Sequence, residues 1–212
     1  MRLFLLLFLL AACGACSRSP APPGPAGTAF TKAAATAGER HVTTAELGLD
    51  AATASGTPIA LRERTTDTEE VLAVDRGVAT RKRVTREAPG QPPESTIVEG
   101  PAAADPITAA LPDAPVAPGQ DMPGLARAIG ERLKGLAVTD ARVTFTRAAG
   151  DDAAFDVAMK LSRTEERIAM TMDLKGTLHV ATTTGAPTSM RLSGPVTFAG
   201  GSGTVTFALE RR

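Results

Sequence analysis

Residue types that could support acid–base, nucleophilic or metal chemistry are few in this chain, and they are scattered. The two histidines, His41 and His179, lie in different halves of the sequence. The acidic pairs at 151–152 and 165–166 fall in turn-like segments, whereas a metal site needs several ligands that converge. The Gly-Ser-Gly at 201–203 lacks the G-x-S-x-G pattern of a nucleophile elbow and is typical of a hairpin tip. We therefore expect no enzyme activity, no metal ion and no dissociable cofactor.

One residue is placed for covalent modification. A positive charge at Arg2 is followed by an apolar run at residues 3–10, and small residues at 11–12 precede Cys13. These are the features of a secretory signal peptide, and the run is too short to span a bilayer, which needs about 20 apolar residues. Either Cys13 is modified on export, or the signal is a plain cleavable one and Cys13 remains an ordinary thiol.

The tetrapeptide Leu-Ala-Ala-Cys at 10–13 resembles the lipobox of bacterial lipoproteins. The resemblance implies that residues 1–12 are removed, that a diacylglycerol and an N-acyl lipid are attached to Cys13, and that these chains anchor the protein to a membrane. It places the protein in the cell envelope. The outer membrane is favoured over the inner membrane, because Gly14 stands where aspartate favours inner-membrane retention. Cys16 then has no partner within the chain, so we expect no internal disulfide.

The segment after the cysteine predicts a tether. Residues 13–27 are rich in proline and small residues, and the part from 17 to 27 contains no large apolar side chain. Such a stretch cannot repay the entropy of ordering and stays extended, so at about 3.1 Å per residue it could hold a domain about 30–40 Å from a bilayer. A single mostly β domain is expected from residue 28 to 212.

The composition argues against a nucleic-acid partner. The chain has 23 basic and 23 acidic residues, so the global charge offers no attraction to phosphates. It has no tryptophan and no tyrosine, which are the residues that stack on bases in many single-strand binders.

The C-terminal half predicts a five-stranded antiparallel meander. Apolar residues recur at every second position in residues 143–145, 153–162, 168–180, 190–198 and 205–209, and short turns separate these runs. Alternation of period two marks strands with one buried and one exposed face, and short turns join antiparallel neighbours. Gly176 and Gly194 lie inside these runs, where glycine marks a bulge or a bend.

One amphipathic helix, near residues 121–136, is expected to cover this sheet. Asp121 is a candidate cap and Pro123 suits the first turn. The apolar stripe is Leu125, Ile129, Leu133 and Leu136. The helix and the meander together fill residues 121–212.

The first half, residues 28–100, gives a weaker pattern. Strands are predicted at 41–49, 58–66, 69–75 and 78–87, with a short one near 96–98. Residues 101–120 read as a proline-rich connection. The predicted fold class is therefore mainly β (α+β), with a curved antiparallel sheet or half-barrel and one covering helix.

Two further resemblances concern the folded part. The segments ALPDAPVAPGQDM and VLAVDRGVATRKRV are similar to passages in uncharacterised secreted bacterial proteins, which lend no activity. A curved sheet with a covering helix is similar in architecture to periplasmic half-barrel lipid carriers of the LolA, LolB and LppX kind, and a fold alone does not carry function.

Two residue sets could bind a ligand or a membrane. Methionines on the apolar strand parity could line a pocket for an acyl chain, or they could simply fill the core. They are Met159, Met170, Met172 and Met190. A basic run could contact anionic lipid headgroups, or it could belong to an exposed edge strand neutralised by nearby acids. It comprises Arg81, Lys82, Arg83 and Arg86.

The sequence thus supports a non-enzymatic, membrane-anchored envelope lipoprotein. Its domain is either a structural or interaction module that docks an envelope protein, or a carrier that binds a lipid or other apolar ligand in the concavity of the sheet.

Overall fold

A computed structural model describes residues 27–86, 92–101, 105–133, 136–165 and 168–212. The expected signal peptide, Cys13 and the tether up to residue 26 lie outside the described residues.

The described chain folds around one antiparallel sheet of nine strands that does not close into a barrel. Along the sheet the strands run in the order β4-β3-β2-β1-β9-β8-β7-β6-β5. Their bounds are β1 Arg40–Thr53, β2 Pro58–Asp75, β3 Val78–Arg86, β4 Glu94–Pro101, β5 Ala137–Ala149, β6 Asp152–Glu165, β7 Ile168–Ala181, β8 Pro187–Phe198 and β9 Gly201–Arg211. The mainly β fold class predicted from the sequence is confirmed.

The C-terminal meander is the best-packed part of the sheet. Strands β5 to β9 pair each with the next, as predicted, and β9 then pairs with β1. On β6 the alternate residues Phe155, Val157 and Met159 are all buried, because this face of the sheet lies under the helices. The alternation of apolar residues in the sequence therefore corresponds to a sheet that is buried on one of its two faces.

Two short helices cover that face. They are α1, Pro106–Ala110, and α2, Pro123–Arg132. On α2 the side chains of Leu125 and Ile129 are fully buried, and Leu133 and Leu136 pack against the core beyond the helix end. Pro123 stands in the first turn as predicted.

The predicted cap of α2 is wrong. Met122 occupies the cap position and makes no side-chain cap hydrogen bond. The Asp121 carboxylate instead accepts hydrogen bonds from Arg142 Nε at 2.9 Å and Thr144 Oγ1 at 3.0 Å on β5. The bond from Arg142 is the main reason that the pKa of Asp121 lies below its ordinary value.

The segment before β1 crosses the same face as a strap. The Thr31 N–H donates to the Thr182 carbonyl at 2.9 Å, between β7 and β8. The Phe30 ring lies 6.2 Å from that of Phe145 and 5.9 Å from that of Phe155, measured between centroids. The strap therefore closes the core over its aromatic centre.

Gly176 on β7 allows a close approach of two strands. A Cβ at this position would overlap the Arg191 carbonyl on β8, and one at Gly194 would overlap the Asp173 carbonyl on β7. The register of the two strands does not shift at either glycine. The prediction of a bulge is therefore wrong at both positions. Glycine is needed here because the two backbones approach each other too closely for a side chain.

The first half forms four strands. The predicted strands at 58–66 and 69–75 are one continuous strand, β2, whose register with β3 shifts between Val71 and Ala73. The short strand predicted near 96–98 is the longer β4, which lies at the outer edge of the sheet.

Candidate functional site

The histidines do not form a shared site. His41 Nε2 lies 2.7 Å from a Glu39 carboxylate oxygen at the start of β1, and His179 Nδ1 lies 3.0 Å from both carboxylate oxygens of Asp152 on β6. Burial tends to raise the pKa of Glu39, but hydrogen bonds from Thr36 and His41 outweigh it and leave that pKa lowered. Within the part of the chain that the structure describes, no three His, Cys, Asp or Glu residues gather as a metal site would require.

The four candidate methionines lie in or against the core. Met159, Met172 and Met190 are buried, and Met170 packs beside them. Their neighbours are the apolar side chains of the meander and helices. This arrangement favours core filling, the second of the two interpretations open from the sequence.

The basic run is divided between the two faces of the sheet. Arg81 and Arg83 lie on the face of Glu69, whose carboxylate is 3.4 Å from Arg81 Nε and 3.1 Å from Arg83 Nη2. Lys82 and Arg86 alternate with them and point to the other face, where Lys82 stands opposite Glu70 in the register. Strand β3 lies between β2 and β4, so the run does not occupy an edge strand. A flat membrane could meet only one of its two halves.

A wide groove of about 1360 Å³ runs over β2, β1, β9, β8 and β7. Most of its side chains lie on the face of the sheet opposite the helices. Along each strand these polar and charged residues alternate with residues whose side chains point to the buried face. Three ion pairs line or border it, Arg62 with Asp50 at 2.7 Å, Arg64 with Glu46 at 3.5 Å and Arg191 with Glu210 at 2.9 Å. Paired charges of both signs make this groove a poor host for an acyl chain.

The two edges of the sheet differ. Segment 119–122 pairs with the β5 edge, where the N–H groups of Gly119 and Met122 donate to the carbonyls of Phe145 and Val143, each at 2.7 Å. At the other edge, no described strand or bridge pairs with the outer side of β4. Within the described residues, the chain therefore covers the β5 edge of the sheet and leaves the β4 edge without a paired strand.

Exposed aliphatic side chains concentrate near the open edge. Among the residues with described side chains, the large exposed apolar residues other than Val138 lie on β2, β3 or β4. They are Leu61, Leu72, Val74, Val78, Ile97 and Val98. Ile97, at the middle of β4, is the most exposed of them, at 69%. This surface could not be predicted from the sequence, because β4 is short, is flanked by prolines and lacks apolar alternation.

Comparison of the chain with protein-family models, with curated proteins and with solved structures finds no match. Among the residues that the structure describes, neither helix has the length and apolar character needed to cross a bilayer.

Proposed function

We propose that the protein is a non-enzymatic lipoprotein of the cell envelope, anchored through lipids on Cys13, whose domain docks another protein chain. The anchoring part rests on the lipobox-like sequence at 10–13 and on the proline-rich segment that follows it. The docking part rests on one observation, the open edge strand β4 with its exposed aliphatic residues.

The physical reason is that the edge of a sheet offers a row of N–H and C=O groups to an extended chain, and the prolines of β4 stand only at the two ends of this row. Natural proteins usually blunt such edges with lysine, proline or a bulge, or cover them. The β3–β4 register is unbroken, and Ile97 and Val98 occupy the middle of β4. Strand addition at such an edge is a common mode of peptide and protein recognition.

The alternative function, transport of an apolar ligand, has less support. The methionines that could line such a pocket pack against the chain's own apolar residues. The large groove lies on the other face and carries ion pairs.

The anchor is tested by labelling cells that produce the full chain with radioactive palmitate. Label is expected in the wild type and in Cys16→Ser, and its loss is expected in Cys13→Ser, because the thiol of Cys13 is the acceptor. Cys16→Ser is the matched control, as it removes the neighbouring sulfur. Label that persists in Cys13→Ser, or an unlabelled wild type, contradicts the anchor.

Docking is tested separately with a photo-crosslinking amino acid at position 97 of the full chain in cells, with position 138 as the control. Val138 is also an exposed aliphatic residue, but it lies on β5, far along the sheet. A discrete adduct at 97 and none at 138 is expected. No adduct at 97 contradicts docking at β4.

A further inference from the structure

The open edge has a symmetry that points to its occupant. Strand β4 runs from Glu94 to Pro101, and the seven residues from Glu94 to Gly100 lie between Pro93 and Pro101. Proline cannot donate to a ladder, so these two residues limit the stretch that a new strand can pair with. Ile97 lies at the midpoint, four positions from either proline.

We propose that β4 pairs antiparallel with β4 of a second copy of this chain, with the twofold axis at Ile97. This inference rests on the proposed docking function and names its partner. A twofold axis normal to a sheet places residues of equal parity opposite each other, since opposite residues point to the same face. The axis at Ile97 satisfies this condition and uses the whole stretch between the prolines.

The resulting pairs suit each other chemically. Ile97 faces its own counterpart, and Thr96 faces Val98, which gives apolar or β-branched contact on both faces of the sheet. Glu99 faces Ser95, whose hydroxyl can donate to the carboxylate, and Glu94 faces Gly100. No glutamate stands opposite a glutamate, a pairing that would destabilise the ladder.

Shifting the axis to Thr96 or Val98 is less favourable. With the axis at Thr96, Glu99 would face Pro93, and with the axis at Val98, Ser95 would face Pro101. Each shift therefore brings one proline of each copy into the ladder and loses hydrogen bonds. The prolines thus select one register.

Anchoring strengthens the association. Two copies held on the same membrane meet at a much higher effective concentration than free molecules do, so even a weak strand pairing becomes populated. A pairing between identical patches also closes on itself as a dimer and leaves the covered β5 edges at its two ends.

Cysteine crosslinking in cells tests the register. In the full chain carrying Cys16→Ser, the added substitution Ile97→Cys places two thiols directly opposite, with Cα atoms about 4.5–5.5 Å apart, which suits a disulfide. Glu99→Cys is the matched control, because its two copies would lie four residues out of register, well beyond the roughly 7 Å limit between Cα atoms. Mild oxidation is expected to give at least about tenfold more covalent dimer for Ile97→Cys than for Glu99→Cys.

The outcomes separate the two proposals. The β4 pairing is overturned if both variants give equal amounts of covalent dimer, or if Ile97→Cys gives none. If the photo-crosslinked adduct at 97 has a mass other than that of two copies, the docking function stands and the self-pairing falls. The Cys16→Ser chain without an added cysteine should give no covalent dimer. A disulfide-linked dimer of that chain would mean that Cys13 is a free thiol, and it would contradict the anchor instead.

Native mass spectrometry of detergent-extracted protein gives an independent measurement. The wild type is expected to be dimeric, and Ile97→Lys is expected to be monomeric, because lysine at an edge opposes pairing. Leu61→Lys is the matched control: it changes another exposed aliphatic residue, on β2, and should leave the dimer intact. A dimer that survives Ile97→Lys contradicts the proposal.

Discussion

The two ends of the sheet use the same antiparallel pairing in different environments. Strands β5 to β9 bury one face under α1, α2 and the strap, and nearly all of the core residues belong to this region. Strands β2 to β4 extend past that cover, and their small cluster contains only Val71 and Ala79 as buried residues, with Ala35 packed against them. Both regions therefore have hydrogen-bonded strands, and they differ in whether one face of the sheet is buried.

This difference assigns separate roles to the regions. In the packed region the side chains fix each other, so stability and a unique register are expected to originate there. In the exposed region the ladder itself is the main interaction within the chain, and its outer edge offers a further ladder to a partner. Substitutions should separate stability from association along this division.

The largest expected effect comes from the aromatic centre of the packed region. Phe155→Ala should lower the free energy of unfolding by about 3–5 kcal/mol, because it leaves a cavity against Phe30 and Phe145. Leu72→Ala, in the exposed region, should cost less than about 1 kcal/mol, since that side chain is 44% exposed. Denaturant unfolding of both variants measures the contrast, and equal losses would show that the two regions do not differ in packing.

A second contrast uses glycine. Gly176→Ala should destabilise the protein by about 1–3 kcal/mol, since its new Cβ would overlap the Arg191 carbonyl and push β7 and β8 apart. Gly100→Ala on β4 should be nearly neutral, because the nearest atom to its new Cβ is the end of the Arg81 side chain at 3.7 Å. Thermal unfolding of the two variants compares them, and a neutral Gly176→Ala would mean that these strands separate without cost.

The two regions also differ in how well their strands can be predicted from the sequence. The meander could be predicted because each of its strands has one buried face, so Phe155, Val157 and Met159 recur with period two. Strand β4 has no buried face to impose that pattern, and for this reason its length and its position at the edge were not predictable.

The helical face shows a second limit of local reading. Helix α1 was missed among the prolines of 101–120, although Asp105 followed by Pro106 is a recognised start signal and Asp105 does cap Ile107. The local pattern predicts Asp121 as a cap, but its partners Arg142 and Thr144 lie on a strand that is distant in sequence. Long-range partners decide the role of such residues, and a local pattern cannot supply them.

A third prediction concerns the connection between the helices and the sheet. The Asp105 carboxylate caps α1 and also binds Arg132 at the end of α2 and Arg211 at the end of β9, the latter at 3.3 Å. Asp105→Ala removes all three contacts and should cost about 1–2 kcal/mol, whereas Asp105→Asn keeps the cap and should cost about half as much. Asp50→Ala, which breaks the exposed pair with Arg62, is the surface control and should cost less than about 1 kcal/mol. If Asp105→Ala lowers the free energy of unfolding no more than Asp50→Ala does, this carboxylate does not hold the helices to the sheet.

The smallest expected effect is a pH dependence in the packed region. The Asp151 carboxylate accepts a hydrogen bond from the backbone N–H of Thr183, at 2.8 Å, and from the hydroxyls of Thr183 and Thr182. These bonds lower the pKa of Asp151. Because the folded pKa lies below the ordinary value of 3.8, the stabilisation is complete above that pH and is lost as the pH falls through the folded pKa. The difference in unfolding free energy between the wild type and Asp151→Asn should therefore be constant near neutral pH and should shrink in acid. Asp75→Asn, at the end of β2 in the exposed region, serves as the control, since among the described residues its carboxylate makes one ion pair, with Arg76 at 4.0 Å. A difference for Asp151→Asn that stays the same from neutral pH to below pH 3.8 would mean that these hydrogen bonds do not favour the ionised carboxylate.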